Sequence, residues 1–183
     1  MVKIKDRLLL GAVAGLGGNL VKTAIVKLAK RFNWSEFNGS EKAAGMLLPA
    51  HKITQPSGRL VGYIADNVIA ITLGTAAVYM LSLAGRDKAA LKGALSGQVM
   101  WSIFYGVLST MGATQVHPPA PKTVLTEFVA HTAYGAATAA LATKLGDPDL
   151  FNGSVPLIAS PVGKNHVEQH PGSVKPENPP AND

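Results

Sequence analysis

Four stretches of the chain are apolar almost without interruption, and the polar residues gather between them. The first covers residues 8–26 and reads LLLGAVAGLGGNLVKTAIV. The second covers 60–84 and contains VIAITLGTAAVYMLSLA, a run without a single charge. The third, 90–111, carries Lys92 near its start, and the fourth, 124–145, carries Glu127, His131 and a terminal Lys144. Each approaches the roughly 20 residues a helix needs to cross a bilayer. In lipid the backbone must satisfy its own hydrogen bonds, so segments of this length are expected to be helices. The first and fourth are marginal by hydropathy because glycine and alanine contribute little. A soluble bundle of the same helices would need strongly polar faces, which these stretches lack.

The connections differ in kind. Residues 85–89 make a short basic turn, and 112–123, GATQVHPPAPKT, a proline-stiffened loop. Within the longer 27–59 loop, Ser40 is expected to cap a short amphipathic helix that runs to Leu48, lies at the membrane interface and stops at Pro49. The 147–183 tail is rich in Pro, Gly, Asn and Ser and is expected to be disordered. His166 and His170 have metal-like spacing there, but no helix holds them, and no metal site is expected. The predicted architecture is therefore all-α: a four-helix transmembrane bundle in residues 1–146, followed by a disordered C-terminal tail.

Composition supports this picture. Charged residues make up 15% of the chain, against about a quarter in soluble domains. The mean hydropathy is positive at +0.19, and most of the 19 glycines lie inside the apolar stretches, as in packed membrane helices. The absence of cysteine excludes disulfides and thiolate metal sites. A net charge of +6 could suit nucleic acid, but the basic residues flank the apolar runs, where they fit anionic lipid headgroups. No nucleic-acid partner is expected. Lys3, Lys5 and Arg7 before an apolar run resemble a signal peptide, yet the AVA at 12–14 comes too early for cleavage, so a retained first helix is expected. Basic residues are shared almost evenly between the two sides of the membrane. The N-terminus and the compact 85–89 turn are the better reporters of orientation and place both termini in the cytoplasm.

Small residues recur at helical spacing. Gly11 and Gly15 in GAVAG, and Gly93 and Gly97 in GALSG, are small-xxx-small motifs that let helix backbones approach closely. Gly74 and Gly135 begin GTAAVYMLSLAG and GAATAALATKLG, each of which ends on another glycine eleven residues later. A duplicated helical hairpin would produce this pattern; so would chance in a chain so rich in Gly and Ala. If duplication holds, Asp66 and Glu127 are equivalent, each lying eight residues before its glycine.

Four spans also bring Lys22, Asp66, Asn67, Glu127, His131 and Tyr105 towards one leaflet. Asp66 and His131 fall roughly 10 Å inside their segment starts, and Glu127 about 5 Å. A polar cluster of Lys22, Asp66, Asn67, Glu127 and His131 is thus geometrically open, with its carboxylates titrating as a coupled unit. Simpler roles compete with a proton or ion site. Glu127 suits a helix N-terminus at the headgroups, and Lys22 can snorkel. Asp66 and Asn67 can pin register through hydrogen bonds, and His131 can simply pack. No G-x-S-x-G, H-E-x-x-H, P-loop or Rossmann fingerprint is present, so neither an enzyme nor a cofactor is expected.

AGLGGNLVK (14–22), KGALSGQ (92–98), MGA (111–113) before prolines, and above all TEFVAH (126–131) resemble the YagU-like family of small bacterial inner-membrane proteins. The likeness covers residues 7–145, with the second helix matching poorly. It implies a four-helix fold in a bacterial inner membrane and brings no assigned activity. The expected role is structural, as a multi-pass membrane scaffold or partner-binding component that contacts the bilayer and forms a homo-oligomer or joins a membrane partner. A small proton- or ion-coupled transporter or channel acting as an oligomer is the alternative.

Overall fold

In a computed structural model describing residues 3–108 and 120–153, the chain is all-α, with no strand among the described residues. Long helices α1 (Arg7–Arg31), α4 (Pro56–Ala84), α5 (Ala89–Trp101) and α6 (Pro121–Leu145) form the body. Short helices α2 (Gly39–Gly45) and α3 (Ala50–Ile53) lie between α1 and α4. α5 continues as a π-helical segment, Ser102–Leu108, and a 3-10 turn, Pro148–Phe151, follows α6. The end of the third apolar stretch, most of the 112–123 loop, the tail from 154 with His166 and His170, and the Tyr105 side chain lie outside the described residues.

The helix boundaries follow local chemistry. Asp6 caps α1 by accepting from the Leu9 N–H at 2.7 Å, and Lys30 and Arg31 sit in its last turn, where the helix dipole favours cations. Pro56 and Pro121 open α4 and α6 at a position where a missing N–H costs nothing. α4 stops at Gly85, whose φ of +77° suits a residue without a Cβ.

α1 packs between α4 and α6, and α5 packs on the far side of α6. α4 and α5 hardly touch, which leaves an apolar groove of about 150 Å³ over α6, lined by Leu73, Ala77, Met80, Ser96 and Met100 among others. The helix crossings are made of small residues, and the larger buried side chains, such as Leu10, Val78 and Leu81, gather in one core cluster. Ala14, Ala139 and Ala142 are completely buried, whereas Leu20 is 74% exposed, Leu83 68% and Leu125 60%. This inverts the usual soluble arrangement. α1 and α4 are long and apolar enough to cross a bilayer by length and composition; among the described residues the other two expected spans do not join them.

The glycine crossings are matched residue for residue. A methyl on Gly74 would overlap the Gly11 carbonyl, and one on Gly135 would overlap the Gly93 carbonyl. A methyl on Gly15 would overlap the Ala70 carbonyl, and one on Gly97 the His131 carbonyl. Ala70 and His131 each lie one turn before the paired glycine. One turn beyond the crossing, Asn19 donates to Asn67 Oδ1 at 3.3 Å in the first pair. At the corresponding place in the second pair, Trp101 meets Phe128 edge-on with centroids 5.2 Å apart. The same backbone geometry thus carries a polar contact in one half and an aromatic contact in the other.

Two expectations require correction. The short helix is Gly39–Gly45 and not Ser40–Leu48. Its capping residue is Asn38, whose N–H donates to Glu41 Oε2 at 2.9 Å. Nor does it lie flat at an interface: Ala43 and Ala44 are buried, and a methyl on Gly62 of α4 would overlap the Ser40 carbonyl. Close approach of two small-residue faces draws α2 back against α4. The tail assigned from 147 also begins too early. Leu150 and Phe151 are buried in the core beside Leu10 and Val78, and the buried Arg7 donates to the Leu150 carbonyl at 2.9 Å and to Ser82 Oγ at 3.1 Å. Ile4 and Asp147 clip the two ends together by a backbone hydrogen bond of 2.9 Å.

Candidate functional site

The most highly charged part of the interior lies where α1, α2, α4 and α6 meet. On α1 and α6 its polar side chains come from positions one helical turn apart, so each of these helices delivers two groups to one face. α1 supplies Asn19 and Lys22, α4 Asp66 with Asn67 beside it, and α6 Glu127 and His131.

Lys22 Nζ donates to Asp66 Oδ1 at 2.6 Å, with both side chains about 90% buried. Asn19 Nδ2 donates to the other carboxylate oxygen at 3.1 Å. Asn67 receives a hydrogen bond from Asn19 and returns its own amide to the Tyr63 carbonyl at 2.8 Å. The Asp66 carboxylate is therefore held by an ammonium and an amide from α1, which locks α1 to α4. His131 Nδ1 lies 2.8 Å from the Glu127 carbonyl and 3.5 Å from Glu127 Oε2. Glu127 is 3% exposed, and Lys22, Lys42 and Asp66 are all near enough to act on its charge. The five residues expected at this site are thus brought into one neighbourhood. The six packing glycines, Gly11, Gly15, Gly74, Gly93, Gly97 and Gly135, stand at the helix crossings beneath it.

Two participants were not anticipated. Asn19 lies inside the AGLGGNLVK run with nothing there to single it out, but its amide ties Asp66 to Asn67. Lys42 comes from α2, whose folding back against α4 no local pattern announces. The α2 backbone reaches the site itself: a methyl on Gly39 would stand 3.3 Å from both Asp66 Oδ1 and Lys22 Nζ. The Lys30 ammonium, 3.3 Å from the Glu41 carboxylate, pins the same segment to α1.

With Lys22 and Lys42 against Asp66 and Glu127, the charges balance when His131 is neutral. Such a site can hold helices in register or exchange a proton. Among the described residues no group of three or more His, Asp or Glu could ligate a metal ion.

Burial lowers the Lys42 pKa from 10.5 to about 8, with Glu127 opposing the shift. The docked segment therefore disfavours the charged lysine. Its docking gains strength as the pH rises from about 8 towards 10.5, because only the undocked state still binds the proton there. Lys42→Met should accordingly hold α2 more firmly at neutral pH. Proteinase K cutting within residues 32–55 checks this: the variant should be cut more slowly than the parent at about pH 7 and equally near pH 10. Equal cutting at neutral pH would show that Lys42 carries no such penalty.

No protein-family model matches the chain, and neither a curated protein nor a solved structure matches it.

Proposed function

We propose that the chain is a multi-pass integral membrane protein in which α1, α4, α5 with its π-helical extension, and α6 cross the bilayer as two duplicated hairpins. One observation carries the reading: many leucines, valines and isoleucines of the long helices are exposed, while glycine and alanine line the helix crossings and only a few large residues, Leu10, Val78 and Leu81 among them, are buried. Water makes that arrangement costly, whereas lipid favours it. The matched crossings at Gly15/Gly74 and Gly97/Gly135 support the duplication. The resemblance of TEFVAH to the YagU-like proteins suggests a bacterial inner membrane, with both termini on the cytoplasmic side.

Within the membrane the role is that of a scaffold or partner-binding component that self-associates or joins another membrane protein. The Lys22–Asp66–Asn19 contacts and the glycine crossings favour a fixed bundle, and the 32–55 segment is its candidate partner surface. The buried carboxylates keep a second reading in play, a small proton-coupled transporter acting as an oligomer.

Alkaline carbonate should leave the chain in the membrane pellet and detergent should release it; release by carbonate would remove the membrane reading. A Glu127→Gln/His131→Ala double variant should assemble more weakly than the parent, and neither protein should move protons in proteoliposomes. A parent flux that the double variant loses, while still assembling, would replace the scaffold with the transporter.

A further inference from the structure

We propose that the groove between α4 and α5 is a lipid site. It takes one acyl chain of an anionic phospholipid whose phosphate rests on Arg86 and Lys88, in the turn that joins the two helices. The proposal rests on the membrane reading above and is independent of what the buried polar cluster does.

The groove suits an apolar occupant. Gly93, Gly97 and Gly135 line it without side chains to fill it, and Met80 and Met100 stand on its walls. Its polar side chains are engaged elsewhere. The Tyr134 hydroxyl donates to the Ala70 carbonyl at 2.7 Å. The Ser96 hydroxyl lies 3.0 Å from both the Lys92 carbonyl and the Met80 sulfur. Thr138 aims its hydroxyl at α1, where a methyl on Gly18 would overlap it. What remains is mainly carbon and sulfur, which a hydrocarbon chain fills better than water does.

Size and depth narrow the occupant further. The groove holds about 150 Å³, whereas a helix 10–12 Å across displaces several times that over two turns. It therefore admits a flexible chain and not a whole helix, and the unbranched thioethers of Met80 and Met100 can adjust to such a chain. Met80 and Leu73 lie five and twelve residues before Gly85, roughly 7 and 18 Å along the α4 axis. One leaflet of hydrocarbon is about 15 Å deep beneath a headgroup layer of about 5–7 Å. With the turn among the headgroups, the groove lies at the depth of the acyl chains.

The turn supplies the charge. The Lys92 ammonium donates to the Ala84 carbonyl at 2.7 Å, the Gly85 carbonyl at 3.1 Å and the Asp87 carboxylate at 2.8 Å. That one group fastens the turn and offsets Asp87. Arg86 and Lys88 are both exposed and remain as an excess of positive charge where α4 and α5 leave the turn. A phosphate there gains charge-assisted hydrogen bonds. A zwitterionic headgroup brings its own cation to the same place and gains less. Basic sites beside membrane helices select anionic headgroups in this way.

Thermal unfolding of the full-length protein in a non-ionic detergent tests the site, with equal amounts of dioleoyl phosphatidylglycerol or dioleoyl phosphatidylcholine added. Phosphatidylglycerol should raise the midpoint about 5 °C more than phosphatidylcholine does. Arg86→Gln/Lys88→Gln should erase that difference. Ala77→Phe fills the groove from α4 and should abolish the gain with both lipids. Ala76→Phe, at an exposed position on the same wall, serves if Ala77→Phe does not fold. Equal gains from the two lipids, a difference that survives in the Arg86/Lys88 variant, or a phenylalanine variant that keeps the parental gain would each overturn the proposal. So would a phenylalanine variant that turns an oligomer into a monomer by light scattering, because the groove would then belong to a second copy of the chain. Release by carbonate would remove the membrane reading and this site with it. Retention in the membrane with equal gains would remove the site alone.

Discussion

Leucine in place of Gly135 should abolish the folded state, and alanine there should cost about 2 kcal/mol. The Gly135 Cα faces backbone. A methyl group would overlap the Gly93 carbonyl oxygen and stand 2.8 Å from the Gly93 carbonyl carbon and 3.0 Å from the Gly97 nitrogen. Carbonyl and amide atoms cannot rotate aside as a side-chain end can, so α5 and α6 must separate to admit it. That separation undoes the most extensively packed helix pair among the described residues. It also pulls Trp101 away from Phe128, and indole fluorescence should report the change. Gly74→Ala should cost a similar amount, because the Gly11 carbonyl and Gly15 occupy the corresponding places. Gly106→Ala is the control: among the described residues nothing lies within 4 Å of a methyl there, and its effect should be within about 1 kcal/mol of zero. Thermal unfolding in detergent measures all three. A Gly135→Ala variant that melts with the parent would refute the close crossing.

Those glycines also show what the sequence discloses. Small residues four apart on an apolar helix have one common purpose, close backbone approach, so Gly11, Gly15, Gly93 and Gly97 announce the crossings before any coordinates. The opposite partners, Gly74 and Gly135, are legible through their shared spacing to Gly85 and Gly146. The neighbourhood of Lys22, Asp66 and Glu127 follows because helix direction and residue depth are simple functions of position along the chain.

Lys42 and Arg7 are different. Lys42 sits in a charged, locally amphipathic stretch that reads equally well as an interfacial helix. Only the fit of Ser40 and Ala44 against Gly62, eighteen or more residues away, draws α2 inwards. Arg7 looks like an ordinary flanking charge, yet Leu150 and Phe151 fold over it. Those two apolar residues were the signal that the tail does not begin at 147. Long-range packing between short segments leaves no periodic trace, and these are the places where sequence reasoning stopped short.

Replacing Lys22 with methionine should destabilise the protein by about 3–5 kcal/mol, the cost of leaving a buried charge without its partner. Methionine fills much of the volume of the lysine stem, so the loss is chiefly electrostatic. Asp66 would keep the 3.1 Å hydrogen bond from Asn19 but would share its surroundings with Glu127, two carboxylates against Lys42 alone. Asp66→Asn should cost less. Lys22 lies nine residues before the end of α1, roughly 13 Å along the axis, too deep to reach the end of the helix, but its ammonium retains Glu127 within electrostatic reach. The double variant Lys22→Met/Asp66→Asn removes both charges and keeps an acceptor for Asn19. It should recover at least half of the Lys22→Met loss, since a buried pair replaced by neutral groups of similar volume is often close to neutral. A double-mutant cycle by denaturant or thermal unfolding gives the coupling directly. Added salt should leave the coupling nearly unchanged, because a pair about 90% buried is poorly screened. A cycle that closes with no coupling would mean that Lys22 reaches water, and the α1–α4 lock would then rest on the glycine crossing alone.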